Sequence, residues 1–324
     1  MINNNPGGSA LTLPTGNAIC YSGYRQGQSP RLGVFPSYEQ VSEDLQLLSR
    51  HWQCLRLYDC SLHAEIVLQV IEQQGLDFKV MLGANMLAEQ NNPGCPWGAE
   101  FSEQQLAANR EENLQEVDRL IALANRYPDS VFSLSVGNEA SVDWTDHLVS
   151  VEQLIAYVKR IKSGAKQPVT FCENYVPWTG KLQPLVEILD FISVHTYPVW
   201  EYHSIETALA YTRQNYYGVA EHYPHKPVVI TEAGWTTKAN GRGIEPDNAS
   251  EVFQAQYYQQ LMAWTGEEAI LTFVFEAFDE PWKGADDVLE PEKHWGLFTV
   301  ERQPKQVMQA VYHDLLPAAE VDTL

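Results

Sequence analysis

Two glutamates of this chain each follow a short apolar run, and both positions suit acid–base or nucleophilic chemistry. The first run, residues 131–137, reads Val-Phe-Ser-Leu-Ser-Val-Gly and leads into Asn138 and Glu139. The second, residues 227–231, reads Pro-Val-Val-Ile-Thr and leads into Glu232, followed by Ala-Gly-Trp. An apolar, β-branched run of this length predicts a strand buried on both faces. Polar residues at the carboxyl ends of such strands lie where α/β folds keep their active sites.

Strand-like runs and amphipathic helical runs alternate along the whole chain, and they predict the frame that holds the two glutamates. The longest predicted loops follow strands, as they do in a barrel whose active site lies at the carboxyl ends. A doubly wound open sheet is the alternative, but residues 20–25 (Cys-Tyr-Ser-Gly-Tyr-Arg) lack the Gly-rich turn expected there. The predicted fold is therefore α/β, a single (β/α)8 TIM barrel. Its strands are predicted at residues 17–21, 53–58, 78–82, 131–137, 168–172, 191–195, 228–232 and 270–275.

Domain organisation follows from the same pattern. We expect residues 17–316 to form one catalytic barrel domain, because no Pro/Gly/Ser linker or sequence repeat interrupts them. Residues 1–16 are expected to be a flexible N-terminal segment, and residues 317–324 a C-terminal tail. The N-terminal stretch has neither a basic n-region nor an apolar h-region. We therefore expect a cytoplasmic protein, or a periplasmic or secreted one if an export signal preceded Met1.

Composition narrows the class of partner. The 324 residues carry 42 acidic against 21 basic side chains, a net charge of −21, which disfavours nucleic acid and anionic membranes. A neutral substrate suits this surface, although salt adaptation would produce the same balance. Aromatic residues make up 11% of the chain, and flat rings are what sugars stack on. The five scattered cysteines and isolated histidines predict neither a disulfide framework nor a metal site. We expect no cofactor, and a monomer.

The paired glutamates suit the cleavage of glycosidic bonds. If the fourth and seventh strands lie on opposite sides of a barrel mouth, Glu139 and Glu232 face each other across it. One carboxyl can then protonate the leaving oxygen while the other attacks the anomeric carbon or activates water. The structural alternative is that each glutamate merely forms an ion pair or caps a strand end. Two such ends in one chain favour catalysis.

Five stretches, taken together, resemble glycoside hydrolase family 17, the β-1,3-glucanases and glucanosyltransferases. Residues 136–139 (Val-Gly-Asn-Glu) and 230–235 (Ile-Thr-Glu-Ala-Gly-Trp) carry the two glutamates. Residues 21–30 resemble the first strand and loop of bacterial members, residues 275–283 the eighth-strand motif, and residues 294–298 its continuation. Many members read Glu-Thr-Gly-Trp where this chain has Glu-Ala-Gly-Trp, which removes a hydroxyl but leaves the assignment intact. The resemblance covers most of the chain in the right order.

The resemblance implies a role for each matching residue. Glu139 would be the acid/base, Glu232 the nucleophile, and Asn138 the residue that holds the sugar 2-hydroxyl. Glu280 and Lys283 match a charged pair that tunes the protonation of the glutamates. The implied mechanism retains configuration and predicts carboxyl groups ~5–5.5 Å apart, whereas ~7–9 Å would indicate inversion.

Several other strand-end residues are weaker candidates. Arg56 and Tyr58 end the second predicted strand, and His195 and Tyr197 end the sixth, where clan members often place a tyrosine on the nucleophile. Trp178 and three other aromatic residues are possible sugar platforms, with burial in the core as the alternative. The full predicted substrate-binding set is Asn138, Tyr21, Arg25, Tyr58, Tyr197, Trp235, Glu276, Glu280, Trp282 and Lys283.

These observations predict a retaining glycosidase that acts on laminarin-type β-1,3-glucan or its oligosaccharides through a covalent glucosyl-enzyme. A β-1,3-glucanosyltransferase that elongates or branches glucans is the main rival, since a sugar hydroxyl and water compete for the same intermediate. A non-catalytic glucan-binding protein and a glycosidase for β-1,4 or mannan linkages fit the sequence less well.

Overall fold

Eight parallel strands close into a single barrel in chain order, with β1 paired to both β2 and β8. The computed structural model describes residues 11–315, so part of the predicted N-terminal segment and the whole predicted tail lie outside the described residues. The fold prediction is confirmed. The strands are β1 Ala18–Cys20, β2 Cys54–Leu57, β3 Lys79–Gly83, β4 Val131–Asn138, β5 Val169–Asn174, β6 Ile192–His195, β7 Val228–Ala233 and β8 Thr272–Val274.

A helix follows each strand, and these helices surround the barrel. The last one ends at Val311 and is followed by a separate 3-10 turn, His313–Leu315. The connection after β5 holds a 3-10 turn, Val176–Thr179, ahead of a helix of only four residues. The helices are α1 Tyr38–Leu48, α2 Leu62–Gln74, α3 Glu103–Arg126, α4 Val151–Gly164, α5 Gln183–Val186, α6 Ile205–Ala220, α7 Glu251–Glu267 and α8 Gln306–Val311.

Serine side chains fix where several of these helices begin. In each case the serine hydroxyl accepts a hydrogen bond from the backbone N–H three residues later, which satisfies one of the free donors of the first turn. Such a cap stabilises a helix by about 1 kcal/mol and sets the length of the loop before it. The serines that cap in this way are Ser37, Ser102, Ser150 and Ser250.

The strands are buried on both faces, as parallel strands covered by helices must be. Every residue of β5 and β7 is buried, including the glutamates Glu173 and Glu232. All five cysteines are buried with free thiols. Across residues 11–315, each helix is too short or too polar to cross a bilayer.

Pairing between strands becomes irregular toward their carboxyl ends, where the polar residues lie. The β4–β5 register shifts between Ser135 and Asn138, and the β6–β7 register shifts between Val194 and His195. Gly137, inside the first shift, has φ +127, and a Cβ there would lie 3.2 Å from the Met86 side chain. Only glycine fits this position without strain. Such bulges re-aim side chains beside active sites, and this one turns the chain just before Asn138.

Candidate active site

Glu232, near the carboxyl end of β7, lies at the centre of a set of hydrogen-bond donors. The Tyr197 hydroxyl donates to its Oε2 at 2.5 Å, and the Tyr58 hydroxyl donates to its Oε1 at 3.1 Å. The buried guanidinium of Arg56 forms an ion pair with the same Oε1. The Glu232 side chain is only 7% exposed, so these donors fix both its position and its charge.

The charges around Glu232 keep it ionised. Burial alone would raise the pKa of this carboxyl, but the charges of His195 and Arg56, with hydrogen bonds from Tyr197 and Arg56, outweigh burial and lower the pKa to about 2. A carboxylate that stays ionised at neutral pH and is held by three donors has the properties of a nucleophile.

Glu139 lies opposite Glu232, with His195 between them. His195 Nδ1 is 2.9 Å from Glu139 Oε1 and 3.6 Å from Glu232 Oε2. One oxygen of each carboxylate and one nitrogen of His195 all lie within 4.8 Å of one another. The Glu139 side chain is 28% exposed against 7% for Glu232, so Glu139 has the freer access to solvent. Burial lowers the pKa of His195, but the charge of Glu232 and the hydrogen bond with Glu139 help to raise it to about 10.

Arg56 connects the two glutamate strands. Besides Glu232, it donates at 2.5 Å to Oδ1 of Asn138 on β4. Because Oδ1 accepts from arginine, the amide nitrogen is the end of Asn138 that can donate to a substrate hydroxyl. The backbone carbonyl of Asn138 lies 2.8 Å from Nε2 of His147. Contacts to the amide and to the backbone thus hold Asn138 in place.

A second charged cluster lies in the long segment after β8. Lys283 Nζ is 3.2 Å from Glu276 Oε2 and forms an ion pair with Glu280, and both glutamates are fully buried. Burial and the charge of Glu280 raise the pKa of Glu276, although Lys283 opposes them. Burial alone would also raise the pKa of Glu280, but the charge of Lys283 and hydrogen-bond donors outweigh burial and lower that pKa. These opposite shifts favour the neutral form of Glu276 and the ionised form of Glu280.

The structure separates the predicted aromatic platforms into buried and accessible rings. Trp178 and Trp235 are almost fully buried, and the Trp235 indole donates to the carbonyl of Asn248. Those two platform predictions are wrong, because the rings pack in the shell between barrel and helices. Trp282 is half-buried, with the Arg31 guanidinium 5.7 Å from its ring centre and its Nε1 donating to Glu280. Of the three predicted tryptophans, Trp282 alone is not fully buried.

Two further predicted binding residues, Tyr21 and Arg25, contact helix α1. The buried Tyr21 hydroxyl donates to Asp44 at 3.0 Å, and Arg25 forms ion pairs with Glu43 and Asp44 of α1. Both side chains tie the segment after β1 to α1. The predicted contact of Tyr21 with substrate is wrong because its ring is buried. The Arg25 side chain is 22% exposed, and its role in substrate binding stays a prediction.

Sequence reasoning missed two acidic residues near the site. Glu173, on β5, went unnoticed because that strand was expected to end one residue earlier, yet its Glu-Asn sequence at a strand end is the same kind of signal as Asn138-Glu139. Glu292 is half-buried in the segment after β8. Burial and the charges of Glu139 and Glu232 raise its pKa to about 7, against the opposing charge of Lys283.

Two carboxylates and an imidazole could also hold a divalent cation. Here the donor atoms of Glu232 already accept from a guanidinium and two tyrosine hydroxyls, and His195 carries positive charge beside them. A cation would have to compete with that charge. The arrangement fits acid–base and nucleophilic chemistry by the two carboxyl groups better than metal binding.

Comparison with known proteins agrees with this geometry. A probable glucan endo-1,3-beta-glucosidase, btgC, of Aspergillus clavatus is 25% identical to this chain over 295 residues. The match covers 83% of this chain but only 39% of that protein, so the chain spans about two fifths of the relative's length. The crystal structure of an endo-laminarinase from Formosa Hel1_33_131 superposes with a TM-score of 0.79 at 26% identity, over 93% of this chain and 88% of that one. A glycoside hydrolase family 17 β-1,3-glucanosyltransferase from Rhizomucor miehei shares the fold, with a TM-score of 0.68 at 21% identity, over 90% and 95% of the two chains. The family profile of the BtgE/BtgC glycoside hydrolase domain matches residues 18–296. The chain therefore belongs to the BtgE/BtgC glycoside hydrolase family, and its resemblance to glycoside hydrolase family 17 is confirmed.

Proposed function

We propose that this protein cleaves β-1,3-linked glucan, such as laminarin or its oligosaccharides, by double displacement with retention of configuration. We further propose that residues 17–316 form the catalytic domain and that the protein acts as a monomer. The substrate class is supported by the relatives named above. The observation that carries the mechanism is the close approach of Glu139 and Glu232.

The separation of the carboxyl groups supports retention over inversion. An oxygen of Glu139 and an oxygen of Glu232 lie within 4.8 Å of each other. Retaining glycosidases place the two carboxyl groups ~5–5.5 Å apart, whereas inverting enzymes need ~6.5–9.5 Å to admit a water molecule. The space here accommodates direct attack by one carboxylate on the sugar.

The environments of the two carboxyls support their separate roles. Glu232, ionised and held by Arg56, Tyr58 and Tyr197, attacks the anomeric carbon while Glu139 protonates the leaving glycosidic oxygen. The covalent glucosyl-enzyme then reacts with water, from which Glu139 removes a proton, and Glu232 leaves as the free carboxylate. Asn138 donates to the sugar 2-hydroxyl, and that hydrogen bond strengthens as positive charge develops on the ring.

Time-resolved mass spectrometry of laminarihexaose incubated with the protein tests the proposal. We expect products shorter than the substrate, and none from the Glu232→Gln variant, whose fold should be intact by circular dichroism. Products longer than the substrate would instead identify a glucanosyltransferase that uses the same residues. An unchanged substrate would refute the proposed linkage, and full activity of Glu232→Gln would refute the assigned nucleophile.

A further inference from the structure

Glu139 has an unfavourable backbone conformation for a residue with a side chain. Its φ is +46, in the left-handed region that residues with a side chain rarely adopt. Such a conformation persists only when the surrounding structure imposes it. The Glu139 N–H donates to the Cys172 carbonyl at 2.9 Å, and the Ala140 carbonyl accepts from the Val149 N–H at 2.9 Å. These two bonds fix the start of the turn.

A buried carboxylate on the neighbouring strand holds the rest of the turn. Glu173 Oε2 accepts from the backbone N–H of Ser141 at 2.9 Å and from its hydroxyl at 2.7 Å. Glu173 Oε1 accepts from the Asn174 N–H at 2.7 Å. The residue is fully buried, and among residues 11–315 it forms no ion pair. Hydrogen-bond donors therefore offset part of the cost of burying its charge.

Charge links this carboxylate to the catalytic one. Burial and the charge of Glu139 raise the pKa of Glu173 to about 7, while the donors on Ser141 and Asn174 oppose the rise. A neutral side chain could tie Ser141 in place without that electrostatic cost. The carboxylate, with two oxygens that each accept, is what lets three donors converge on one side chain.

We propose that Glu173 is a positioning residue for proton transfer: by holding Ser141 it imposes the turn that aims the Glu139 carboxyl at the glycosidic oxygen. This inference rests on the proposed function. Glu173 itself need not touch the substrate. Its loss should reduce only those reactions that depend on a correctly placed proton donor.

Two substrates separate this role from a general structural one. An unactivated laminari-oligosaccharide needs its leaving oxygen protonated, whereas a dinitrophenyl β-glycoside of the same oligosaccharide leaves without help. The ratio of their kcat/KM values reports proton donation, because kcat/KM covers only the steps up to formation of the glucosyl-enzyme. Glu173→Gln is close to isosteric, but its NH2 group faces a donor and so breaks part of the contact with Ser141 or Asn174.

For Glu173→Gln we expect kcat/KM to fall roughly ten- to hundredfold on the oligosaccharide and to change little on the dinitrophenyl glycoside. The expected loss is a part of the rate enhancement that a general acid contributes. Ser141→Ala removes only the hydroxyl donor and keeps the bond from the backbone N–H of residue 141 to Glu173. It should show a smaller loss, again confined to the oligosaccharide. If Glu173→Gln does not fold, Ser141→Ala carries the test. Glu116→Gln is the matched control, since that buried carboxylate accepts from the backbone N–H groups of Cys60 and Asn85. Its ratio of kcat/KM values should equal that of the wild type.

Equal losses on both substrates, or full activity of both variants on the oligosaccharide, would overturn the inference while leaving the proposed function in place. A wild-type protein that cleaves neither substrate would refute the proposed function and this inference with it.

Discussion

Removing a single hydroxyl from Tyr197 should move the acid limb of the pH–rate profile. The hydroxyl donates to Glu232 Oε2 at 2.5 Å. The ring packs edge-on against Phe275 and Trp295, with centres 5.7 and 5.1 Å away. Tyr197→Phe keeps both ring contacts and removes only the donor. The change therefore tests the hydrogen bond and not the packing.

The size of the expected pKa shift follows from the negative charge on the acceptor, Glu232. A hydrogen bond to a charged group contributes about 1.5–3 kcal/mol, and each pKa unit corresponds to about 1.4 kcal/mol, so the shift is about one to two units. The bond stabilises the ionised form of Glu232, and its loss must raise the pKa of this carboxyl. The charges of Arg56 and His195 remain, so Glu232 stays ionised at neutral pH.

The assay is the pH dependence of kcat/KM on a laminari-oligosaccharide, which reports the ionisation of the free enzyme. We expect the acid limb of Tyr197→Phe to move to higher pH. Tyr257→Phe is the matched control, because its buried hydroxyl bonds to the Thr212 hydroxyl at 2.7 Å and not to either glutamate. An acid limb that does not move in Tyr197→Phe, or that moves equally in Tyr257→Phe, would refute the assignment of Glu232 as the ionised nucleophile held by Tyr197.

Three further predictions concern the two glutamates and the lysine cluster. Glu139→Ala should lose roughly 10²–10⁴-fold in turnover of the oligosaccharide. Added azide should restore its cleavage of a dinitrophenyl glycoside, and NMR should identify the product as the β-glycosyl azide. An α-glycosyl azide would contradict retention. The lowered pKa of Glu232, about 2 against the usual 4.5, contributes about 3 kcal/mol to the free energy of unfolding above pH ~4.5, lost as pH falls toward 2. Urea unfolding should therefore depend less on pH across this window in Glu232→Gln than in the wild type, and an identical dependence would contradict the lowered pKa. Lys283→Met should lower the free energy of unfolding by about 3–5 kcal/mol, because it leaves the buried Glu280 without its cation. Arg160→Met is the control: it breaks an exposed ion pair and should lower the free energy of unfolding by under about 1 kcal/mol. Similar urea midpoints for the two variants would contradict the pairing of Lys283 with Glu280.

The sequence alone determines the barrel and the strand ends that carry the two glutamates. Each buried strand is a local apolar run, and four of the helix starts carry a local capping signal, as Ser102 and Ser150 do. Such short-range patterns survive in the sequence because neighbouring residues create them. The same reasoning places Asn138, Glu139 and Glu232 at carboxyl ends of strands, where β4 and β7 lie on opposite sides of a closed barrel.

Only the tertiary structure decides what each polar or aromatic side chain does beyond the strand end. Tyr21 and Tyr58 both follow early strands, yet one donates to Asp44 of a helix and the other to the nucleophile Glu232. The reason is that the alternation of side chains ends with the strand, and loops from other parts of the chain then set the direction. The bond from Ser141 to the carboxylate of Glu173 spans 32 positions of the sequence, and no local pattern encodes a contact that depends on how β4 and β5 pair.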